Sequence, residues 1–266
     1  LEVAFEQRLE VDLQLDGATR DLVAWDYDHD GDLDLALCGE YGARFLRNDG
    51  VDGSGAFTDD SQSFAIPPGF DCRWLLPEDL DSDQDVDLLL GGSSGALWFD
   101  SLRAGRFEDV SARLPAGQDW SARPLAADFD ADFFVDLFLP ASGQLLGNAF
   151  GARFTPEGPA RAQRPGAAPA LLADLDLSGA VDLAWLDPRG ALQAVFELGT
   201  AAERPALELL PPRPELGAPA GLALGPGPEL TAAFAAGLLP LGLQAAGGGF
   251  TLALKGVKAV SYTHLT

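Results

Sequence analysis

The apolar residues of this chain fall into short runs closed by glycine. Leu35-Ala36-Leu37 leads to Gly39 and Leu88-Leu89-Leu90 to Gly91, which is how a buried strand reads. A second apolar run stands ahead of each: Leu22-Val23-Ala24-Trp25 and Trp74-Leu75-Leu76. Leu125-Ala126-Ala127 and Leu171-Leu172-Ala173 hold the equivalent place further along. An acidic stretch separates the two runs of every pair, so the unit is two strands joined by an acidic loop. Before the first unit, Leu9 to Leu15 alternate apolar and polar, predicting a half-exposed strand within residues 1–16.

The acidic loops are four copies of one pattern. Asp26-Tyr27-Asp28-His29-Asp30-Gly31-Asp32-Leu33-Asp34 returns as Asp79-Leu80-Asp81-Ser82-Asp83-Gln84-Asp85-Val86-Asp87. It returns again as Asp128-Phe129-Asp130-Ala131-Asp132-Phe133-Phe134-Val135-Asp136, and as Asp174-Leu175-Asp176-Leu177-Ser178-Gly179-Ala180-Val181-Asp182. The copies start 53, 49 and 46 residues apart, the length of a four-stranded propeller blade. The fold expected is therefore all-β: a β-propeller of about 50-residue four-stranded blades, with about five present in a ring of as many as seven.

Counted from the first aspartate, carboxylates fall at positions 1, 3, 5 and 9, where a tight turn gathers several oxygens around one point. Hard oxygen donors in that number suit Ca2+, which takes six to eight of them at about 2.3–2.6 Å. The candidate metal ligands are Asp26, Asp28, Asp30 and Asp34; Asp79, Asp81, Asp83 and Asp87; Asp128, Asp130, Asp132 and Asp136; and Asp174, Asp176, Ser178 and Asp182. Position 7 would lend only its backbone carbonyl, so Asp32, Asp85, Phe134 and Ala180 can all serve there. Carboxylates this crowded lie within one Debye length, about 8 Å, and repel one another unless a cation sits among them. Position 6 is Gly31 and Gly179 in the first and fourth loops, but Phe133 stands in the third where the turn favours glycine. With Phe133 in the turn of the third loop and Ser178 at position 5 of the fourth, the expected occupancy ranks first, second, fourth, third. An EF-hand would need an acid at position 12, where this chain has Leu37 and Leu90; the loops are expected to be calcium-binding β-hairpins.

The residues downstream repeat as well. Phe45-Leu46-Arg47-Asn48-Asp49-Gly50, then Gly55-Ala56-Phe57-Thr58-Asp59, is matched by Leu97-Trp98-Phe99-Asp100 with Gly105-Arg106-Phe107-Glu108-Asp109, and by Leu145-Leu146-Gly147-Asn148 with Gly151-Ala152-Arg153-Phe154-Thr155. Taken with the aspartate loops, this pattern resembles the FG-GAP or VCBS repeat of integrin α-subunit propellers and many bacterial surface proteins, over most of residues 20–200. The resemblance implies calcium ligation by the aspartates already named and by nothing else. Phe250-Thr251-Leu252-Ala253-Leu254-Lys255-Gly256-Val257-Lys258 resembles the opening strand of the ASPIC/UnbV domain that follows such repeats in bacterial proteins similar to cartilage acidic protein.

Turn residues such as Pro67-Pro68-Gly69 and Pro115-Ala116-Gly117 punctuate the repeats. They place a propeller over residues 1–250, with blades near 20–66, 67–115, 116–165, 166–214 and 215–250, and residues 1–19 as strands of a preceding blade. Residues 251–260 are expected to begin a truncated ASPIC/UnbV-like domain, and 261–266 to be a non-native tail. Beyond Phe196 the composition shifts to Ala, Gly, Leu and Pro, which can be read as low-complexity linker. The phase of Ala220–Leu224 and Glu229–Phe234 favours a fifth, calcium-free blade instead.

Forty-one acids against 17 bases give a net charge of −24, which argues against nucleic acid or an anionic membrane as partner. Four divalent ions in the loops would bring it to about −16. No apolar run approaches the roughly 18 residues needed to span a bilayer. Loops of this composition bind calcium at about 10⁻⁴–10⁻³ M in extracellular modules, so an extracellular, cell-surface or periplasmic site is expected. Cys38 and Cys72 lie in neighbouring repeats, where a disulfide is allowed, though cysteine is also a common buried residue. Catalysis by a Ser or Cys nucleophile needs a base beside it. Neither His29, inside the first loop, nor His264, in the tail, is well placed for that, and Gly91-Gly92-Ser93-Ser94-Gly95 lacks the Lys of a phosphate loop. Trp25, Trp74 and Trp185 read as core, while Trp98, Phe99 and Trp120 have less regular settings that leave a sugar-binding role open.

The function expected is that of a non-catalytic calcium-binding propeller serving as an extracellular protein- or glycan-binding or adhesion module. It would also contact blades or domains that this segment lacks. The alternatives are an accessory propeller of a larger secreted enzyme, or a lectin.

Overall fold

The computed structural model describes residues 15–50, 57–162, 164–212, 214, 218–224, 229–234, 237–246, 249–254 and 260–261. The expected strand in residues 1–16 falls almost wholly outside them, as does the tail from residue 262 onward. The chain divides into two compact units, Leu1–Arg123 and Pro124–Thr266.

The first unit holds two antiparallel four-stranded sheets. One is built from β1 (Thr19–Trp25), β2 (Asp34–Gly39), β3 (Gly42–Asn48) and β4 (Phe57–Asp59), the other from β5 (Trp74–Glu78), β6 (Asp87–Gly92), β7 (Gly95–Ser101) and β8 (Phe107–Asp109). Strand order follows chain order in both, the meander of a propeller blade. β6 is buried at every residue, because the sheet is covered on both faces; that is why its sequence is continuously apolar rather than alternating. A Cβ added at Gly91 would collide with the Trp74 ring, and one at Gly92 with the Asp71 carbonyl oxygen. The glycines after Leu90 thus serve close packing at a hairpin.

The two sheets share one core of Trp25, Tyr27, Phe45, Phe64, Leu75, Leu88, Leu90 and Phe99. Phe64, just past a short 3₁₀ turn at Ser61–Ser63, lies 3.7 Å from Phe45 between ring centroids and 4.6 Å from Phe107. Cys38 at the end of β2 and Cys72 ahead of β5 are disulfide-bonded, with Cα atoms 5.3 Å apart and no exposure. Their 34-residue separation corresponds to about 3–4 kcal/mol of lost unfolded-state entropy. Trp98, Phe99 and Trp120 are also buried, and the Trp74 indole N–H donates to the Trp120 carbonyl at 2.8 Å. These three aromatics are core.

The second unit repeats the pattern with β9 (Leu125–Ala127), β10 (Asp136–Leu139), β11 (Gln144–Asn148) and β12 (Phe154–Glu157), then β13 (Ala170–Ala173), β14 (Asp182–Leu186), β15 (Leu192–Val195) and β16 (Leu207–Leu210). Leu209 and Leu210 are buried in β16, so the Leu-Pro-rich stretch begins inside a blade rather than in a linker. A last sheet runs through β17 (Pro219–Leu224), β18 (Glu229–Phe234), β19 (Gly237–Ala246), β20 (Gly249–Leu254) and β21 (Val260–Ser261). β20 pairs with β19 from Leu241↔Leu254 to Ala246↔Gly249. The boundary expected after residue 250 therefore falls within a strand of this sheet. The turn at residues 225–228 lies outside the described residues.

Candidate metal centres

The four acidic loops join β1 to β2, β5 to β6, β9 to β10 and β13 to β14. Each is shaped by the same two left-handed residues. Position 4 has φ of 61° at His29, 64° at Ser82, 63° at Ala131 and 59° at Leu177. Position 6 has 99° at Gly31, 75° at Gln84, 73° at Phe133 and 90° at Gly179. Phe133 thus leaves the turn intact, at a backbone strain of about 1–2 kcal/mol, and the residue is 89% exposed.

The aspartates take distinct jobs. Position 1 accepts N–H groups from across the turn: Asp26 from Asp30 and Gly31 at 3.1 and 3.0 Å, Asp79 from Gln84 at 3.1 Å, Asp128 from Asp132 and Phe133 at 3.1 and 2.9 Å, and Asp174 from Ser178 and Gly179, both at 3.0 Å. Position 5 accepts the position-7 N–H, from Asp32 to Asp30, Asp85 to Asp83 and Phe134 to Asp132 at 2.9 Å, and from Ala180 to Ser178 at 3.3 Å.

Position 9 opens the second strand and is buried in every copy. Asp34 accepts from the N–H of Tyr27 at 2.9 Å and of Asn48, at the end of β3, at 2.7 Å. Asp87 does the same with Leu80 and Ser101, Asp136 with Phe129 and Asn148, and Asp182 with Leu175 and Glu197. One carboxylate therefore ties the loop to the third strand or, in the fourth copy, to Glu197 just past it. Burial pushes Asp34, Asp136 and Asp182 up to about 6 and Asp87 up to about 7, against the N–H groups that favour the charged form.

Positions 1, 3 and 9 converge. One oxygen each from Asp26, Asp28 and Asp34 lie within 4.8 Å of one another, and so do those of Asp79, Asp81 and Asp87, of Asp128, Asp130 and Asp136, and of Asp174, Asp176 and Asp182. Asp28 Oδ1, Asp79 Oδ1 and Asp81 Oδ1 are buried without a hydrogen-bond partner. A buried carboxylate oxygen left this way is costly, and one of them in the first triad and two in the second fit a hard, oxygen-seeking cation at each. Burial also raises Asp28 and Asp130, and raises Asp81 to about 6.

The fourth loop differs. Arg204, between β15 and β16, reaches Asp176 Oδ2 at 2.7 Å and Glu197 Oε1 at 3.3 Å. Burial pushes Asp176 up, but the hydrogen bonds from Arg204 and Ser178 outweigh it and hold the carboxyl below its usual value. At position 3 of the first two loops the arginines stand further off: Arg47 is 3.9 Å from Asp28, and Arg113 is 3.9 Å from Asp81. Asp85, at position 7, is buried and paired with Arg103 at 2.6 Å and with His29 Nε2 at 3.7 Å. Neither Arg204 nor the left-handed position 4 carries a signal in the sequence.

Residues 26–90 and 79–139 match the FG-GAP-like repeat family. The match runs from the first acidic loop through the third. No curated protein matches the chain. Among solved structures, the chain resembles an Agrocybe aegerita lectin described as specifically recognising non-reducing terminal N-acetylglucosamine. The TM-score is 0.58 and the identity 17%, over 85% of this chain and 63% of the lectin chain. At that identity the likeness is one of fold, and this chain spans about 63% of the lectin's length. Nothing in these comparisons supports a relation to the ASPIC/UnbV domain or to cartilage acidic protein; of the segment that suggested it, residues 250–254 lie in β20. The fourth loop, Asp174 to Asp182, lies outside the matched residues.

Proposed function

We propose that this chain is a calcium-stabilised, non-catalytic glycan-binding module acting outside the cytoplasm. The observation that carries the metal part is the set of buried, unpartnered oxygens of Asp28, Asp79 and Asp81 within convergent aspartate triads. All donors are hard oxygens and three carboxylates converge, which favours calcium over the smaller, octahedral magnesium that keeps its waters and is held by one or two carboxylates. Positions 1, 3 and 9 would hold the ion, position 5 holds the turn closed, and position 9 transmits the clamp to the third strand. On this reading the third loop takes an ion ahead of the fourth, the reverse of the order expected from the sequence, because Arg204 already neutralises Asp176.

The likeness of fold to a glycan-recognising lectin favours a glycan over a protein partner, and the Cys38–Cys72 disulfide favours an oxidising compartment. His29, within the described residues, is turned to Asp85 at the rim of the second loop, which supports a structural rather than a catalytic use. An oligosaccharide array probed with the purified chain, in calcium and in chelator, tests the proposal. Selective binding that fades with calcium removal is expected; failure to bind any glycan while calcium-loaded and folded would remove the glycan part.

A further inference from the structure

A cleft of about 600 Å³ opens where β1 begins and the β2–β3 hairpin turns. Thr19 pairs with Gly39 beside it, while Trp25 pairs with Asp34 at the acidic loop, so the cleft lies at the opposite end of the sheet, about 20 Å along the strand. Its walls come from Arg20 on β1, from Glu40, Tyr41 and Arg44 on the hairpin, and from Phe70 and Asp71 ahead of β5.

Those walls are fixed before any ligand arrives. The buried disulfide joins Cys38, next to Gly39, to Cys72, next to Asp71, so the two sides of the cleft are covalently pinned. Arg20 bonds Asp71 at 2.7 Å and stands 3.8 Å from Glu40, bridging one side to the other. The Tyr41 hydroxyl is 3.0 Å from the Thr19 hydroxyl, and the Arg44 guanidinium lies 5.9 Å from the centre of the Tyr41 ring. Ordering costs that would otherwise oppose binding are thereby reduced.

The lining also limits what fits. The lining holds Asp16, Glu40 and Asp71 with Arg20 and Arg44, and Arg73, outside it, pairs with Asp71 at 2.7 Å. Charge is thus balanced locally in a chain whose net charge is −24. Neither a strong anion nor a strong cation is favoured there. Carboxylates accept and guanidiniums donate, so adjacent hydroxyl groups can satisfy both at once, while Tyr41 and Phe70 supply apolar surface for ring carbons.

We infer that this cleft is the saccharide site of the module and takes a neutral pyranose; the inference rests on the glycan-binding reading above. The test uses the whole chain, disulfide intact and calcium-loaded, titrated with N-acetylglucosamine, mannose and sialyllactose by calorimetry and saturation-transfer NMR. A neutral sugar should bind, and sialyllactose should bind no more tightly. Glu40→Gln and Tyr41→Ala should each weaken the neutral sugar about tenfold or more while leaving the calcium-dependent melting temperature unchanged. The Glu40 side chain is 56% exposed, so Glu40→Gln decides the matter if Tyr41→Ala fails to fold. Unchanged affinity in Glu40→Gln overturns the cleft but leaves the glycan reading standing, and a preference for sialyllactose overturns the neutral class. Binding of no glycan on the array overturns both.

Discussion

Asp34, Asp87, Asp136 and Asp182 are the residues on which each repeat turns, since each is buried, satisfies two backbone N–H groups and offers an oxygen to its triad. Their carboxyls are raised by burial to about 6 or 7, above the ordinary value near 3.8. The folded chain therefore holds these protons more tightly than the unfolded chain. Without calcium, the stability they contribute is full below about pH 4 and is lost as pH rises through 6 to 7. Melting temperature in chelator should fall across that window, and calcium should remove most of the fall, because it favours the charged carboxylates; a flat profile in chelator would contradict the assignment. The aspartates were legible in the sequence because four copies share them. Their division of labour was not, because positions 5 and 9 look alike until one is seen turned to a loop N–H and the other to a neighbouring strand. Phe133 is the residue where sequence and structure disagree about cost: Phe133→Gly should raise stability by about 1 kcal/mol, read as a shift in denaturation midpoint, with calcium binding unchanged.

At the scale of elements, the strands were legible because buried runs such as Leu88–Leu90 and Leu137–Leu139 admit no helical spacing and end at turn residues. The last sheet was legible only in part. β17 and β18 were visible as apolar runs in phase with the repeat, whereas the pairing of Thr251–Leu254 with β19 was obscured by an apparent start of another domain. Arg204 could not be foreseen, because nothing local links it to Asp176, 28 residues earlier. It sets a stoichiometry: native mass spectrometry should count three calcium ions on the wild-type chain and four on Arg204→Gln. Four on the wild type, or three on both, would show that the arginine does not close the loop.

For the molecule as a whole, compartment and charge act together. The buried Cys38–Cys72 bridge points to an oxidising environment, and the proposed calcium loops would call for one rich in that ion. The cysteines' place in neighbouring repeats was readable from sequence; that they meet depends on the packing of the first two sheets around Phe64, which no spacing reveals. The central claim is that the aspartate triads hold the repeats together through bound ions. Thermal unfolding of the whole chain in millimolar calcium and in excess chelator tests it most directly. At ten times the dissociation constant each site contributes about 1.4 kcal/mol. Three sites should therefore raise the melting temperature by about 10 °C. An unchanged midpoint with no bound metal would contradict the account.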